Sequence, residues 1–233
     1  MKMRIFPAYL TAFFALVFLV HELHDWAHVL LERVICGCWG QKGFDNWTMC
    51  KGCLPGATGQ GIIFLAGPLV NAALACWSWR LMQASRPSAS RSMGIALFFA
   101  CLPLARIIAT LQGGSDETRS VRMFFWELNI SHRHLISLFG LGLVFLFYSP
   151  GFIRAIKELA GWKGKIWIVA AFLLVPMYID RWVVSGLMNE LLHQGFLAAI
   201  IWHGIPLLLV VWTGLVLVLS VFGRKTLQQL LDG

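Results

Sequence analysis

Residues 21–28 are His-Glu-Leu-His-Asp-Trp-Ala-His, and they stand at the end of a long apolar run. On an α-helix, His24 and His28 are one turn apart and project from the same face, with Asp25 beside them. Two imidazoles and an adjacent carboxylate are the side chains of a zinc-binding helix. Ionisable groups are rare at membrane depth and usually serve a site. The stretch therefore predicts that His24 and His28 bind Zn²⁺.

Two other interpretations of residues 21–28 stay open at this point. Clustered acids and histidines also form proton or ion relays in membranes. Polar side chains that bond between helices hold membrane bundles together without any further role. We favour a metal because it would neutralise the carboxylates and use the imidazoles as ligands.

A third metal ligand has to come from another part of the chain. Residues 112–117 are Gln-Gly-Gly-Ser-Asp-Glu, directly after the third apolar segment. The glycines break a helix, and Ser115 or Asp116 would cap the next one. Asp116, or Glu117 as the alternate, would also complete a set of two histidines and one carboxylate with an open fourth position. Because the second and third apolar segments form a hairpin, this loop returns to the side of the membrane where residues 21–28 lie.

A glycine-proline pair and an asparagine mark the second apolar segment, at residues 67–71, Gly-Pro-Leu-Val-Asn. Gly-Pro pairs are common where a membrane helix starts or bends, and an asparagine often bonds to a neighbouring helix. A side-chain amide that faces a site also holds an extended peptide backbone or orients a ligand. Asn71 is therefore a candidate substrate-binding residue.

The composition indicates that a membrane surrounds these residues. The chain has 233 residues, of which 58% are hydrophobic and 13% charged, whereas soluble domains carry about 25% charged residues. Its mean hydropathy is +0.73. The first apolar run continues into the histidines without a cleavage site, so we expect it to remain as a helix. The net charge of +8 is expected to set topology rather than to bind nucleic acid, since no basic stripe with interleaved aromatic residues occurs.

Segments of about 20 apolar residues predict the membrane-spanning helices. The fold class that follows is an all-α polytopic membrane protein with about six transmembrane helices. Pro103 and Arg106 interrupt the third segment, and His203 and Pro206 predict a kink in the sixth. The six predicted segments are residues 9–34, 61–83, 93–111, 134–149, 165–186 and 196–222.

Four of the six cysteines lie in the loop of residues 36–60, as Cys36, Cys38, Cys50 and Cys53. In a reducing compartment, two close pairs would bind a second metal through four thiolates. In an oxidising compartment, they would form two disulfides. Either chemistry predicts a compact cap over the mouth of the site, and both alternatives stay open.

In this order and spacing, the motifs resemble those of the site-2 protease family of intramembrane zinc metalloproteases. That family has a His-Glu-x-x-His motif in one helix, followed by an Ala-Arg pair and a glycine, then Gly-Pro-x-x-Asn in the next helix and Leu-Asp-Gly in the third. Here residues 24–28 are followed by Glu32-Arg33 and Gly37, and residues 67–71 and 112–116 follow in order. The resemblance covers residues 20–117.

The resemblance implies a fold and a mechanism. Residues 1–133 would form a protease-like core of three transmembrane helices, with the cysteine-rich loop 36–60 and the loop 112–133. Residues 134–233 would add three more helices to a single membrane domain. His24, His28 and Asp116 would bind zinc, and Asn71 would hold a transmembrane substrate segment while a carboxylate accepts the proton of the attacking water.

The general base is where the chain departs from the family. Asp25 stands where the family has Glu, and it is one methylene shorter. Glu22 lies nearly on the same face as Asp25 and is the second candidate base. The alternative register, which begins at His21-Glu22, makes His21 an alternate ligand but puts Asp25 where the second histidine belongs.

Three functions from different classes are therefore compared. The first is an intramembrane zinc endopeptidase that cleaves a membrane-protein substrate. The second is an inactive metal-binding scaffold or accessory subunit of a larger membrane complex. The third is a haem or di-iron redox protein, with His203 in the sixth helix as the opposing ligand.

The distribution of charge between loops predicts the orientation. Lys and Arg are more numerous on the side of the termini than on the side of the motifs, so we expect cytoplasmic termini. The family resemblance instead implies a site nearer the cytoplasm. The expected location is the bacterial inner (cytoplasmic) membrane, as a multi-pass protein in contact with lipid.

Overall fold

Helices make up most of the described chain. The computed structural model describes residues 6–128, 132–159 and 165–231. Within these residues, six helical segments are long and apolar enough to cross a membrane, which confirms the expected all-α polytopic membrane fold. The six segments are Pro7–Cys36, Gly56–Leu81, Ser88–Leu111, Arg133–Leu159, Ile166–His193 and Leu207–Leu227.

The elements are numbered in chain order. Two short antiparallel hairpins interrupt the helices. A π-helical segment over Arg181–Met188 connects two consecutive helices. The elements are α1 (Pro7–Cys36), β1 (Gln41–Lys42), β2 (Trp47–Thr48), α2 (Gly56–Leu81), α3 (Ser88–Ala100), α4 (Pro103–Leu111), α5 (Asp116–Glu127), α6 (Arg133–Leu159), α7 (Lys165–Asp180), α8 (Asn189–His193), β3 (Ile200–Trp202), β4 (Ile205–Pro206) and α9 (Leu207–Leu227).

The predicted interruption of the third segment is present. Helix α3 ends at Ala100, and α4 begins at Pro103, where a missing N–H costs no helical hydrogen bond. Leu102 between them has a φ of 51°. The break leaves α4 as a separate short helix that carries Arg106.

The fourth helix extends beyond residues 134–149, and the predicted start of the sixth segment was wrong. Helix α6 continues through Pro150 to Leu159, because a proline in a long membrane helix need not end it when neighbouring helices pack on both sides. The sixth span begins at Leu207 rather than at residue 196, since residues 200–206 form the hairpin of β3 and β4. His203 lies in the turn of that hairpin instead of in a helix.

Helix α1 lies at the centre of the bundle, where it packs against α2, α3 and α9. Aromatic residues fill the interior beside it: Phe13 meets Phe172 edge to face, and Phe172 stacks on Phe99. Helix α5 packs against α2, and the Ser120 hydroxyl donates a 2.7 Å hydrogen bond to the carbonyl of Gly61. This contact brings the start of α5 next to the polar end of α1.

The loop after α1 is a folded cap. Disulfides join Cys36 to Cys53 and Cys38 to Cys50, so the structure contains the second of the two predicted alternatives. The buried Glu32 carboxylate accepts a hydrogen bond from the Cys50 N–H, which fastens the loop to α1. The hairpin of β1 and β2 lies within the loop that both disulfides close, and its Lys42 and Trp47 side chains contact Glu22 and His28 of α1.

Candidate metal centre

Three side chains from distant parts of the sequence meet at the polar end of α1. His24 and His28 are one turn apart on α1, and Asp116 is the first residue of α5. The His24 Nε2 atom is 3.0 Å from Asp116 Oδ2 and 3.3 Å from His28 Nε2. The Asp116 Oδ2 atom is 3.6 Å from His28 Nε2. The structure therefore brings together the three residues that the sequence predicts as ligands.

The spacing of these atoms matches a zinc ion. Donor atoms that lie ~2.1 Å from a tetrahedral ion are about 3.4 Å from one another. The three separations of 3.0, 3.3 and 3.6 Å scatter around that value. Two imidazoles and one carboxylate are also the ligand types that zinc takes at catalytic sites with an open fourth position. The residues present fit the metal.

The hydrogen bonds around the cluster leave lone pairs at its centre. The Nδ1–H of His28 donates a 2.7 Å bond to the Ile63 carbonyl, so its Nε2 carries a lone pair. Arg106 Nη2 donates a 2.8 Å bond to His24 Nε2, which must therefore accept. The Arg106 guanidinium also places its Nη1 atom 3.3 Å from Asp116 Oδ2, so one positive charge faces both the imidazole and the carboxylate. Such a cluster of acceptors requires a cation.

Ser115 caps α5 and so fixes Asp116 as the first residue of that helix. The Ser115 hydroxyl accepts a 3.2 Å hydrogen bond from the Thr118 N–H and thereby caps α5. The same hydroxyl accepts a 2.9 Å bond from the Thr110 hydroxyl at the end of α4. The predicted capping role of this segment and its predicted ligand role are thus compatible, because the cap fixes the backbone from which Asp116 projects.

The absence of a side chain at Gly67 leaves room for the imidazoles of His24 and His28. A Cβ atom at this position would lie 2.4 Å from His24 Cε1 and 2.4 Å from His28 Nε2. Such distances are far below van der Waals contact, so any side chain at residue 67 would push both rings aside. The glycine of the Gly-Pro pair in α2 is therefore explained by its approach to α1.

Replacing Gly67 with alanine should remove most of the bound zinc. Alanine is the better helix former by about 1 kcal/mol, so a loss cannot come from helix propensity. We expect the zinc affinity of the purified protein to fall by at least ~10-fold, because a small displacement of both imidazoles breaks the ligand geometry. Gly142→Ala is the matched control, since a Cβ at Gly142 meets nothing within 4 Å. Equal zinc affinity in the two variants would contradict the prediction.

A cavity of about 340 Å³ opens beside the cluster. His24 and Asp116 border it, whereas His28 is fully buried behind them. The capping loop contributes Asp45 and Trp47 to its walls. Trp47 also stacks on the His28 ring, with 4.9 Å between ring centroids. A ligand in the cavity would reach the cluster from the side of His24 and Asp116.

The two predicted bases lie in different places. Asp25 borders the cavity, while Glu22 is not among the described residues that line it. Lys42 of β1 is buried between them, with its Nζ atom 2.9 Å from Glu22 Oε2 and 3.4 Å from Asp25 Oδ2. Glu22 also accepts a hydrogen bond from the Thr213 hydroxyl of α9. Of the two candidates, only Asp25 faces the space beside the metal cluster.

His21 belongs to a second polar group on the cavity wall. Its Nδ1 atom is 3.0 Å from Asp180 Oδ2 at the end of α7, and its Nε2 atom is 3.7 Å from Asp25 Oδ2. His21 is therefore placed between two carboxylates rather than beside His24 and Asp116, and it does not occur in the group of potential ligands. The register that makes His24 and His28 the pair is the one in which the three donor atoms meet.

Of the remaining predicted residues, Asn71 and Glu117 are buried, whereas His203 is exposed. Asn71 borders the cavity, and its Oδ1 atom has no hydrogen-bond partner among the described residues. Glu117, the alternate third ligand, is buried but lies outside the group of three ligands, and its Oε2 atom is likewise unpartnered within the described residues. His203 stacks on Trp39 of the capping loop, so it is not the ligand on an opposing helix that a haem site would require.

Sequence reasoning missed or misplaced three residues of the site. Arg106 lies in an apolar segment, where a guanidinium needs charged partners, and the structure shows it in contact with His24 and Asp116. Lys42 was counted only as a loop charge, and Asp180 received no role. The presence of several acids and histidines on α1 did indicate that charged partners were needed, but it carried no information about which distant residues supply them.

Comparison with known proteins identifies no relative of this chain. No protein-family model matches the chain, and neither a characterised protein nor a solved structure matches it. The case for a function therefore depends on the geometry of His24, His28, Asp116 and the cavity beside them.

Proposed function

We propose that the protein is an intramembrane zinc-dependent endopeptidase that cleaves a transmembrane segment of a membrane protein. The observation that carries this proposal is the meeting of His24, His28 and Asp116 at the wall of a cavity inside a six-helix membrane bundle. Zinc held by these three residues would lower the pKa of a water molecule to about 7 and polarise the scissile carbonyl.

Residues of the chain itself supply the other steps. Asp25 follows His24 directly and faces the cavity, so it is the group that accepts the proton of the attacking water and returns it to the leaving amine. Asn71 has a buried Oδ1 atom without a hydrogen-bond partner among the described residues, and this atom would accept a backbone N–H of an unwound substrate. Substrate has to unwind because the peptide bonds of an intact helix are inaccessible to attack.

The capping loop supports one orientation. Disulfides persist in oxidising compartments and are rare in the cytosol. A loop closed by Cys36–Cys53 and Cys38–Cys50 therefore favours a site on the outer side of a bacterial inner membrane, with both termini cytoplasmic. The charge distribution between the loops supports the same orientation.

A second candidate is a metal-binding scaffold without proteolytic activity. The contacts of Lys42 favour it, because an ammonium group 3.4 Å from Asp25 stabilises the carboxylate and weakens it as a base. Such a protein would use the same cluster for stability or for assembly with a membrane partner. Zinc binding alone does not separate the two functions, so the deciding measurement is hydrolysis.

Hydrolysis of unfolded chains by the detergent-purified protein tests the proposal. We expect zinc-dependent cleavage of fluorescein-labelled casein and of synthetic transmembrane peptides, loss of cleavage with 1,10-phenanthroline and recovery with Zn²⁺. Asp25→Asn should reduce the rate by about 10²–10⁴-fold, since a general base contributes that much. Glu190→Gln, which removes an exposed acid of α8, should leave it unchanged. A zinc-loaded protein that cleaves none of these substrates would support the scaffold instead.

A further inference from the structure

Arg106 lies where a metal ion would bind. Its Nη2 atom is 2.8 Å from His24 Nε2, and its Nη1 atom is 3.3 Å from Asp116 Oδ2. These are two of the three atoms whose spacing fits zinc. The lone pair of an imidazole nitrogen cannot serve an arginine N–H and a metal ion at the same time. Zinc binding therefore requires the guanidinium to leave at least His24.

A displaced guanidinium at this depth needs another acceptor. A cation that loses its partner in a low-dielectric interior is strongly disfavoured. Glu117 is the neighbour of Asp116 on α5, it is buried, and its Oε2 atom has no hydrogen-bond partner among the residues described. Glu117 and Asp116 both lie close enough to Arg106 to attract its positive charge. A buried carboxylate oxygen without a partner is rare in proteins and needs an explanation.

We propose that Arg106 is an exchangeable counter-cation, which neutralises His24 and Asp116 in the metal-free protein and moves to Glu117 when a divalent metal binds. This inference rests on the metal centre of the proposed function and deepens it. The exchange explains two features together: the contact of the Arg106 guanidinium with His24 and Asp116, and the Glu117 Oε2 atom that has no partner among the described residues. It also makes Arg106 a positioning residue that controls when the centre accepts its metal.

The exchange predicts how single substitutions change zinc affinity. Arg106→Gln removes the competing cation, so zinc should bind at least ~10-fold more tightly than to the unchanged protein. Arg106→Lys keeps a competing cation and should stay close to the unchanged affinity. Arg119→Gln is the matched control, because Arg119 borders the same cavity but contacts neither His24 nor Asp116 within the described chain. If Arg119→Gln raises the zinc affinity as much as Arg106→Gln does, the effect comes only from removing a positive charge near the site, and the proposal is overturned.

Glu117→Gln provides the sharper test through a double-mutant cycle. In the unchanged background, this substitution removes the acceptor of the displaced guanidinium and should weaken zinc binding about 10-fold. In the Arg106→Gln background, no guanidinium has to be received, so Glu117→Gln should change the affinity less than about 2-fold. If Glu117→Gln lowers the zinc affinity equally in both backgrounds, Glu117 acts on the metal only as a distant charge, and the proposed exchange is wrong.

The experiment is a titration of detergent-purified protein with Zn²⁺ in competition with a chromophoric chelator, at one salt concentration for all variants. Size-exclusion profiles and thermal unfolding show which variants are folded, and the Arg106→Lys and Arg119→Gln pair still tests the proposal if Glu117→Gln does not fold. If the unchanged protein and Arg106→Gln bind zinc with the same affinity, the metal centre of the proposed function is retained but the exchange is overturned. No zinc binding to any folded variant overturns both.

Discussion

Replacing His24 and His28 together with alanine is expected to remove about one zinc ion per chain from the purified protein. A set of three ligands that loses two no longer holds the metal, because one carboxylate cannot replace the lost donor atoms. Elemental analysis of detergent-purified protein before and after the double substitution measures the effect. The difference between the two proteins is the relevant quantity, since it does not depend on metal bound elsewhere.

His203→Ala is the matched control for this experiment. It also removes an imidazole, but His203 stacks on Trp39 in the turn between β3 and β4, away from Asp116. Its zinc content should equal that of the unchanged protein. If the double substitution at His24 and His28 also leaves the zinc content unchanged, those histidines bind no metal, and a purely structural role becomes the better interpretation of the cluster.

Replacing Lys42 with methionine is expected to cause the largest loss of stability of any single substitution in the capping loop. Lys42 is 2% exposed and lies between the carboxylates of Glu22 and Asp25. Removing one partner of a buried ion pair leaves an uncompensated charge and typically costs about 3–5 kcal/mol. For a chain of this size, that corresponds to a fall in Tm of ~10 °C.

Thermal unfolding in detergent, followed by tryptophan fluorescence, checks this result. Lys51→Met is the control, because Lys51 belongs to the same loop but is exposed, and surface substitutions usually change stability by less than about 0.5 kcal/mol. A second substitution, Glu22→Gln, should restore part of the loss in the Lys42→Met protein, since it removes the closer of the two unpaired carboxylates. Equal Tm values for Lys42→Met and Lys51→Met would show that Lys42 is not a buried counter-charge in the folded protein.

The meeting of His24, His28 and Asp116 could be predicted because it follows largely from local helix geometry. His24 and His28 are one helical turn apart, so helix geometry alone puts both imidazoles on one face. Asp116 required only the added argument that a helical hairpin brings its two ends to the same side of the membrane. Gly67 was noticed as part of a Gly-Pro pair, but only the structure shows that its missing side chain makes room for both imidazoles.

The charged partners of the site could not be predicted because their pairing depends on tertiary packing. Lys42 reaches Glu22 only after the disulfide-closed loop has folded back onto α1. His21 and Asp180 are separated by 159 positions in the sequence and meet only because α7 packs beside α1. Arg106 had several acids within plausible reach, and which of them it contacts depends on the break between α3 and α4.

The start of the sixth span was mispredicted for a different reason. Residues 196–206 are mostly apolar, so hydropathy alone does not separate a short hairpin from the first turns of a helix. Gly204 has a φ of 83° and His203 a φ of 43°, which turn the chain sharply before Pro206. The hairpin then lies against the capping loop, where Trp202 contacts Trp39.

The polar end of α1 has a consequence for how the protein is made. Among the six spans, α1 has the lowest mean hydropathy, 1.3 compared with 2.2 for α9. An acid at the centre of a helix costs about 2.5–3.5 kcal/mol when the insertion machinery passes that helix into lipid. The nearest charged partners of Glu22, His21 and His24, which are Lys42, Asp180 and Asp116, leave the ribosome after α1 itself. Helix α1 therefore becomes stable in the bilayer only when the loop and the later helices pack beside it, so its insertion depends on segments that follow it in the chain.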